Sequence, residues 1–200
     1  MESPEYLQSE LPAINLFKKL GYDYFNGKDS DNRESINEVV LKDRLEAALR
    51  KLNPWINENN LKNAIKHITS IQGSSLMEIN ENIHEYLSSR KFTVKQVVEG
   101  REQHKGVSFI DFENIQLNDF LIVNQLKFKG KERNSIPDII VYLNGLPVAV
   151  IECKSAKAQQ AEHESIRDLL YYQENSEKLL IAKLFGLNPQ IIWRLDRQII

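Results

Sequence analysis

Between Pro137 and Ala156 the chain reads PDIIVYLNGLPVAVIECKSA. Two runs of β-branched and aliphatic residues flank Asn144-Gly145, and Asn-Gly between apolar runs is the strongest short-range hairpin signal. Both runs are apolar at nearly every position rather than at alternate ones. A strand of that kind must be covered on both faces, so the hairpin belongs in the middle of a sheet with helices around it. This requirement constrains the fold more than any other feature. It also singles out Asp138, Glu152 and Lys154, because a charge in such a place is costly unless it is paired or bound to a metal.

The rest of the chain can supply the cover. Leu7, Leu11, Ile14, Phe17 and Leu20 recur at helical spacing, with Gly21 as a stop. Asn26 to Glu34 is polar and reads as a loop. Further apolar stripes run over Leu41–Leu52, ended by Asn53-Pro54, over Leu61–Ile68, and over Leu76–Leu87. All four stripes read as core-packing faces. Beyond Phe92 the character changes. Val107–Phe112, Phe120–Phe128, Ile136–Leu143 and Pro147–Cys153 are expected as strands, Gln159–Glu174 as a helix and Leu179–Ala182 as one more strand. The expectation is an α/β fold, a central mixed sheet flanked by helices, with an N-terminal helical region (residues 1–95) packed on a core (residues 96–200).

Composition narrows the class. With 42% hydrophobic residues, 27% charged residues and a net charge of −2, the chain looks like an ordinary globular protein, with no global charge that demands a polyanion. Cys153 is the only cysteine, which excludes an internal disulfide and suggests a reducing, cytoplasmic setting. The N-terminus lacks the apolar core of a signal peptide, and no run of about 18 apolar residues suggests a membrane span.

The three charges have a chemistry if they meet. Glu152 and Lys154 are two apart and share a face in a regular strand. A two-residue turn at Asn144-Gly145 pairs residues whose numbers sum to 289 and turns Asp138 away from Glu152. A three-residue loop, Leu143-Asn144-Gly145, with Gly145 left-handed in a bulge, gives 288 and puts all three side chains on one face. The bulged turn is therefore the expectation. The alternative is that the charges lie at the strand ends, in reach of water. Two carboxylates diagonal across a strand pair can share one cation. Oxygen-only ligands suit Mg²⁺, with Mn²⁺ as a substitute. The metal would polarise a phosphoryl group, with Lys154 beside the attacking water or the developing charge. That is phosphodiester hydrolysis.

Other constellations are weaker. His67, His84, His104 and His163 have no zinc-ligand spacing. Cys153 reads as a small buried hydrophobe. Lys127, Lys129, Lys131 and Arg133 read either as a solvated hairpin with edge lysines or as a phosphate-contacting edge. Asp111 and Asp119, or a helix glutamate such as Glu38 or Glu46, are candidates to support the site, and the sequence does not choose among them.

Pro before Asp138, then Glu152-x-Lys154 on the same hairpin, is the PD-(D/E)xK nuclease motif. Its surroundings, IDFENIQLNDFLIVNQLKFKG…IPDIIVYLNGLPVAVIECKSA with LEAALRKLNPWI and the Gly21-Tyr22 pair, resemble the N-terminal region of the restriction (R) subunit of type I restriction-modification systems over residues 10 to 175. The resemblance implies the endonuclease domain of an ATP-driven DNA translocase that cuts double-stranded DNA with Mg²⁺. It implies metal ligation by Asp138 and Glu152, Lys154 as catalytic lysine, and methyltransferase and specificity subunits as partners. The family also carries Gln-x-x-x-Tyr on the following helix. Tyr172 matches its tyrosine as an auxiliary residue, but Asp168 stands where Gln is expected. No Gly-x-x-x-x-Gly-Lys-[Ser/Thr] loop is present, so ATP would act only through a motor region absent from this chain. A non-enzymatic module docking on DNA or subunits, or a stand-alone repair nuclease, are the alternatives.

Overall fold

Each expected helix forms, and local chemistry sets its ends. A wide π turn over Tyr6–Glu10 leads into α1 (Leu11–Lys19), with Pro12 in the first turn, where its missing N–H is not needed. α2 spans Lys42–Leu52 and α3 Glu58–Thr69. Asn57 caps α3 by accepting from the Asn60 N–H at 2.9 Å. α4 (Leu76–Ser89) has Ser75 as its cap, while Glu78 reaches back to the Ser74 N–H at 2.7 Å. α5 spans Ala161–Asn175. The structure, a computed structural model, describes residues 6–29, 33–71, 74–98, 100–154 and 161–176. The strand expected at Leu179–Ala182 lies outside the described residues.

The central sheet has four strands in the order β1 (Asp23–Asn26), β4 (Phe120–Asn124), β5 (Ile139–Leu143) and β6 (Leu146–Ile151). β1 runs parallel to β4 with Tyr24 beside Ile122, and the β5–β6 hairpin makes the sheet mixed. All five residues of β5 are buried, as its two-sided apolar pattern requires. The expected mixed sheet flanked by helices is therefore present. No helix among the described residues is long and apolar enough to cross a membrane.

Contacts divide the chain into two compact units that alternate along the sequence. One comprises residues 1–39, 120–142 and 147–200; the other comprises 40–119 and 143–146. In the first, α1 and the four-stranded sheet bury Ile14, Leu121, Ile122, Val123, Ile139 and Ile140. In the second, α2 and α3 bury Leu45, Leu49, Leu61 and Ala64.

Some sequence expectations fail for physical reasons. Val107–Phe112 is not a strand, although Val107, Phe109 and Ile110 are buried. Its backbone is satisfied largely by side-chain amides. Asn53 accepts from the Ser108 N–H and donates to the Ser108 carbonyl, both at 2.8 Å. Asn118 does the same for Asp111 at 2.9 and 2.7 Å. Conversely, β2 (Thr93–Val98) and β3 (Arg101–Gly106) pair antiparallel as a separate ribbon that is largely exposed and polar, so no apolar pattern marks β3. β1 is too short and too polar at its ends, Asp23 and Asn26, to read as a strand.

The hairpin turn also differs from expectation. Asn144 and Gly145 both have positive φ, 53° and 77°, which is the two-residue type I′ geometry and not the bulged loop. Asn tolerates the left-handed region, so no third turn residue is needed. A Cβ at Gly145 would meet the Leu41 carbonyl at 2.5 Å and the Leu45 nitrogen at 2.6 Å, so glycine is required there twice over.

Candidate active site

The type I′ turn should have separated Asp138 from Glu152, yet the two meet. The regular strands stop at Ile139 and Ile151, so both residues lie just beyond the pleat that would have fixed their facing. Asp138 sits in a bend; its backbone N–H donates to Glu152 Oε1 at 3.4 Å. Asp138 Oδ2 accepts from the Cys153 N–H at 2.7 Å. The charges do lie at strand ends, as one reading of the sequence allowed, but not in open water. The Glu152 side chain is 4% exposed and that of Lys154 16%.

Lys154 Nζ lies 3.7 Å from Glu152 Oε2 and 2.8 Å from Asp168 Oδ2. One turn further along α5, the buried Tyr172 hydroxyl bonds to the Glu152 carboxylate. The four residues singled out in the sequence, Asp138, Glu152, Lys154 and Tyr172, are thus brought together. Asp168, where glutamine was expected, pairs with the lysine.

Two further residues were invisible in the sequence. Glu10, at the end of the π turn, is 5% exposed. Its Oε1 accepts from Asn124 Nδ2 at 2.8 Å and its Oε2 from Gln125 Nε2 at 3.2 Å. The same Gln125 amide donates to Asp138 Oδ1 at 3.1 Å, and the Gln125 N–H donates to the Asp138 carbonyl at 3.1 Å. Gln125 holds these bonds with φ at 54°, a left-handed conformation uncommon outside glycine and strained enough to need support. Ser9 Oγ donates to the Lys154 carbonyl at 2.8 Å and ties the N-terminal turn to the same place. The other sequence candidates are used elsewhere. Asp119 pairs with Arg44 at 2.6 Å, Asp111 caps the Glu113 and Asn114 N–H groups, and Glu46 pairs with Arg50.

Burial dominates the electrostatics of the site. Burial and the neighbouring Asp138 push Glu152 up to about 8, against the pull of Tyr172 and Lys154. Burial raises Asp138 as well, although the Cys153 N–H, Lys154 and Gln125 oppose it. Glu10 is raised by burial, partly offset by Asn124 and Gln125, with Asp138 adding to the rise. Burial alone would lower Lys154; the Asp168 hydrogen bond and the surrounding carboxylates outweigh it and hold the ammonium charged.

Among the described residues, no group of three or more His, Cys, Asp or Glu side chains is close enough to hold a metal ion. A cation here would rest on the Asp138–Glu152 pair. That fits Mg²⁺, which is commonly held by one or two carboxylates and takes its other oxygens from water and phosphate. Two neighbouring carboxylates raised by their shared burial are a donor set that a divalent cation would relieve.

Comparison with known proteins identifies the family. The family model described as type I restriction enzyme R protein N terminus matches residues 3–197. A putative type I restriction enzyme MjaIXP endonuclease subunit from Methanocaldococcus jannaschii is 32% identical over 167 residues, 80% of this chain and 16% of that protein. The type I restriction enzyme HindI endonuclease subunit from Haemophilus influenzae is 32% identical over 189 residues, 90% of this chain and 17% of its own length.

Proposed function

The chain belongs to the family of type I restriction enzyme R protein N termini, and on that premise we propose that it is the nuclease domain of such a subunit, hydrolysing phosphodiester bonds of double-stranded DNA with Mg²⁺. The observation that carries the reading is the buried carboxylate pair, Asp138 and Glu152, with the Lys154 ammonium 3.7 Å from Glu152. Asp138 and Glu152 would hold the metal, which when bound supplies Lewis-acid polarisation of the scissile phosphoryl group.

The remaining work falls to the chain's own side chains. Lys154 presents a fixed positive charge where negative charge develops on the phosphoryl oxygens. Asp168 keeps that ammonium in place at 2.8 Å. Tyr172 donates to Glu152 and sets its orientation. Gln125 fixes one oxygen of Asp138, and the Cys153 N–H fixes the other. The partners that follow are duplex DNA and, within a type I complex, the methyltransferase and specificity subunits. The chain matches only 16% and 17% of the length of the two relatives, so translocation would belong to other regions of such proteins.

The test is calorimetric Mn²⁺ binding by the wild type and by Asp138→Ala, followed by plasmid nicking with the same samples. The wild type should bind and nick, and the variant should do neither. A wild type that binds no Mn²⁺ would overturn the reading and favour a docking module.

A further inference from the structure

Residues 126–137 leave β4 and return to Asp138 as an arch whose feet stand in the site. The base is closed by the Gln125 N–H on the Asp138 carbonyl, and Gln125 also holds the Asp138 side chain. One rung crosses the middle: Phe128 and Ser135 exchange both backbone hydrogen bonds, at 2.8 and 3.0 Å. The crest is pinned to the last residue of α5. Asn175, 5% exposed, accepts from the Lys131 N–H at 2.9 Å and the Glu132 N–H at 2.8 Å, and donates to the Arg133 carbonyl at 2.6 Å. Gly130 lies so close to Asn175 and the Arg133 carbonyl that no Cβ fits between them. Phe128 is buried inward, under the Arg33 guanidinium 4.5 Å from its ring.

This rigid frame carries Lys127, Lys129, Lys131 and Arg133 on its outside, all exposed, against one acidic residue, Glu132. The Arg133 guanidinium is oriented by stacking 4.4 Å over the Tyr171 ring. A lysine-rich hairpin that served solubility alone would need no buried asparagine at its crest and no oriented guanidinium. A guanidinium already oriented on a braced backbone, by contrast, saves entropy of ordering when it meets an anionic partner. A planar guanidinium fork suits a phosphate in particular.

We propose that the arch is a contact surface for the phosphate backbone of duplex DNA, placed to hold the strand next to the one entering the carboxylate pair. The inference rests on the nuclease reading and names the surface that this reading lacks. Its cations position the duplex and read no bases.

The experiment is fluorescence anisotropy of a labelled duplex of random sequence, with EDTA present, across a salt series. It compares the wild type with Lys127→Gln/Lys129→Gln and with Arg133→Ala. The control is Lys62→Gln/Lys66→Gln, which removes the same charge from exposed positions on α3. Losing two phosphate contacts lowers the slope of log K against log salt by about 1.8 and weakens binding on the order of ten- to a hundredfold at 0.1 M salt. Arg133→Ala should lower the slope by about 0.9. The control should keep the wild-type slope. A wild type that binds DNA while the arch variants match the control would overturn the arch and leave the nuclease reading standing. A wild type that binds no duplex at low salt would overturn both. Binding of poly-glutamate through the arch as tightly as of duplex would overturn the phosphate assignment in favour of an acidic protein partner.

Discussion

One hairpin has two ends, and both bury polar side chains. At the tip, Asn144 is 0% exposed and its amide is complete. Its Oδ1 accepts from the Asp119 N–H at 2.7 Å, and its Nδ2 donates to the Phe109 carbonyl at 2.8 Å and to Asn118 Oδ1 at 2.9 Å. At the open end, Asp138 and Glu152 also have donors, yet both are pushed towards protonation. The tip is neutral and satisfied by this chain alone. The open end buries two carboxyl groups whose charged forms are opposed by their burial. A complete polar cluster specifies a fold, whereas an incomplete one costs stability that binding can recover.

The largest effect should come from removing the cation of the open end. Lys154→Ala should lower DNA cleavage about 10³-fold, the order seen when a preorganised charge-stabilising group is lost. Mn²⁺ binding should survive, because both carboxylates remain. Undiminished cutting by this variant would sink the mechanism and leave the two ends of the hairpin functionally alike.

At the tip the expected loss is in folding. Asn144→Ala strands the Phe109 carbonyl and the Asp119 N–H, and it puts a Cβ residue without local hydrogen bonds at a φ of 53°. Together these should cost about 3 kcal/mol in urea unfolding. Asn144→Gly relieves the backbone but not the lost bonds, so it should recover about 1 kcal/mol of that. Unchanged stability in the alanine variant would show that the tip cluster is decoration.

The same contrast governs how much the sequence could tell. The hairpin was legible because a two-sided apolar run and Asn-Gly are local signals, and the four helical stripes were legible for the same reason. The Asp138, Glu152 and Lys154 trio was legible by its motif, but its assembly was not. A regular pleat would have needed a bulge, and the chain instead ends its strands one residue short of each carboxylate. Glu10 and Gln125 could not be found at all, since they are 115 residues apart and neither type is unusual in a polar helix start or a strand end. What local pattern misses here is long-range: side-chain amides replacing a strand partner at Ser108, and a left-handed glutamine bridging two carboxylates.

The smallest effect per step, and the sharpest distinction between the two ends, is in the pH dependence of stability. The tip cluster is built from the Asn144 and Asn118 amides and backbone groups. At the open end Glu152 is raised from 4.5 to about 8 in the folded protein. A carboxyl raised on folding holds its proton in the native state over a range where the unfolded chain has released it. The native form therefore binds more protons between those two values, and stability falls as pH rises through that window. In metal-free protein this group's contribution to stability is complete below about pH 4.5. That contribution should then be lost at up to about 1.4 kcal/mol per pH unit towards pH 8, in urea titrations at fixed salt. Glu152→Gln removes the ionisation and should flatten that fall. Saturating Mn²⁺ should reverse it, because metal binding displaces the proton and favours the ionised pair. Binding at pH 7 should accordingly release close to one proton, measurable by calorimetry in buffers of different ionisation enthalpy. A flat stability profile in the wild type, or metal binding without proton release, would mean that the pair is already compensated and that the open end is as complete as the tip.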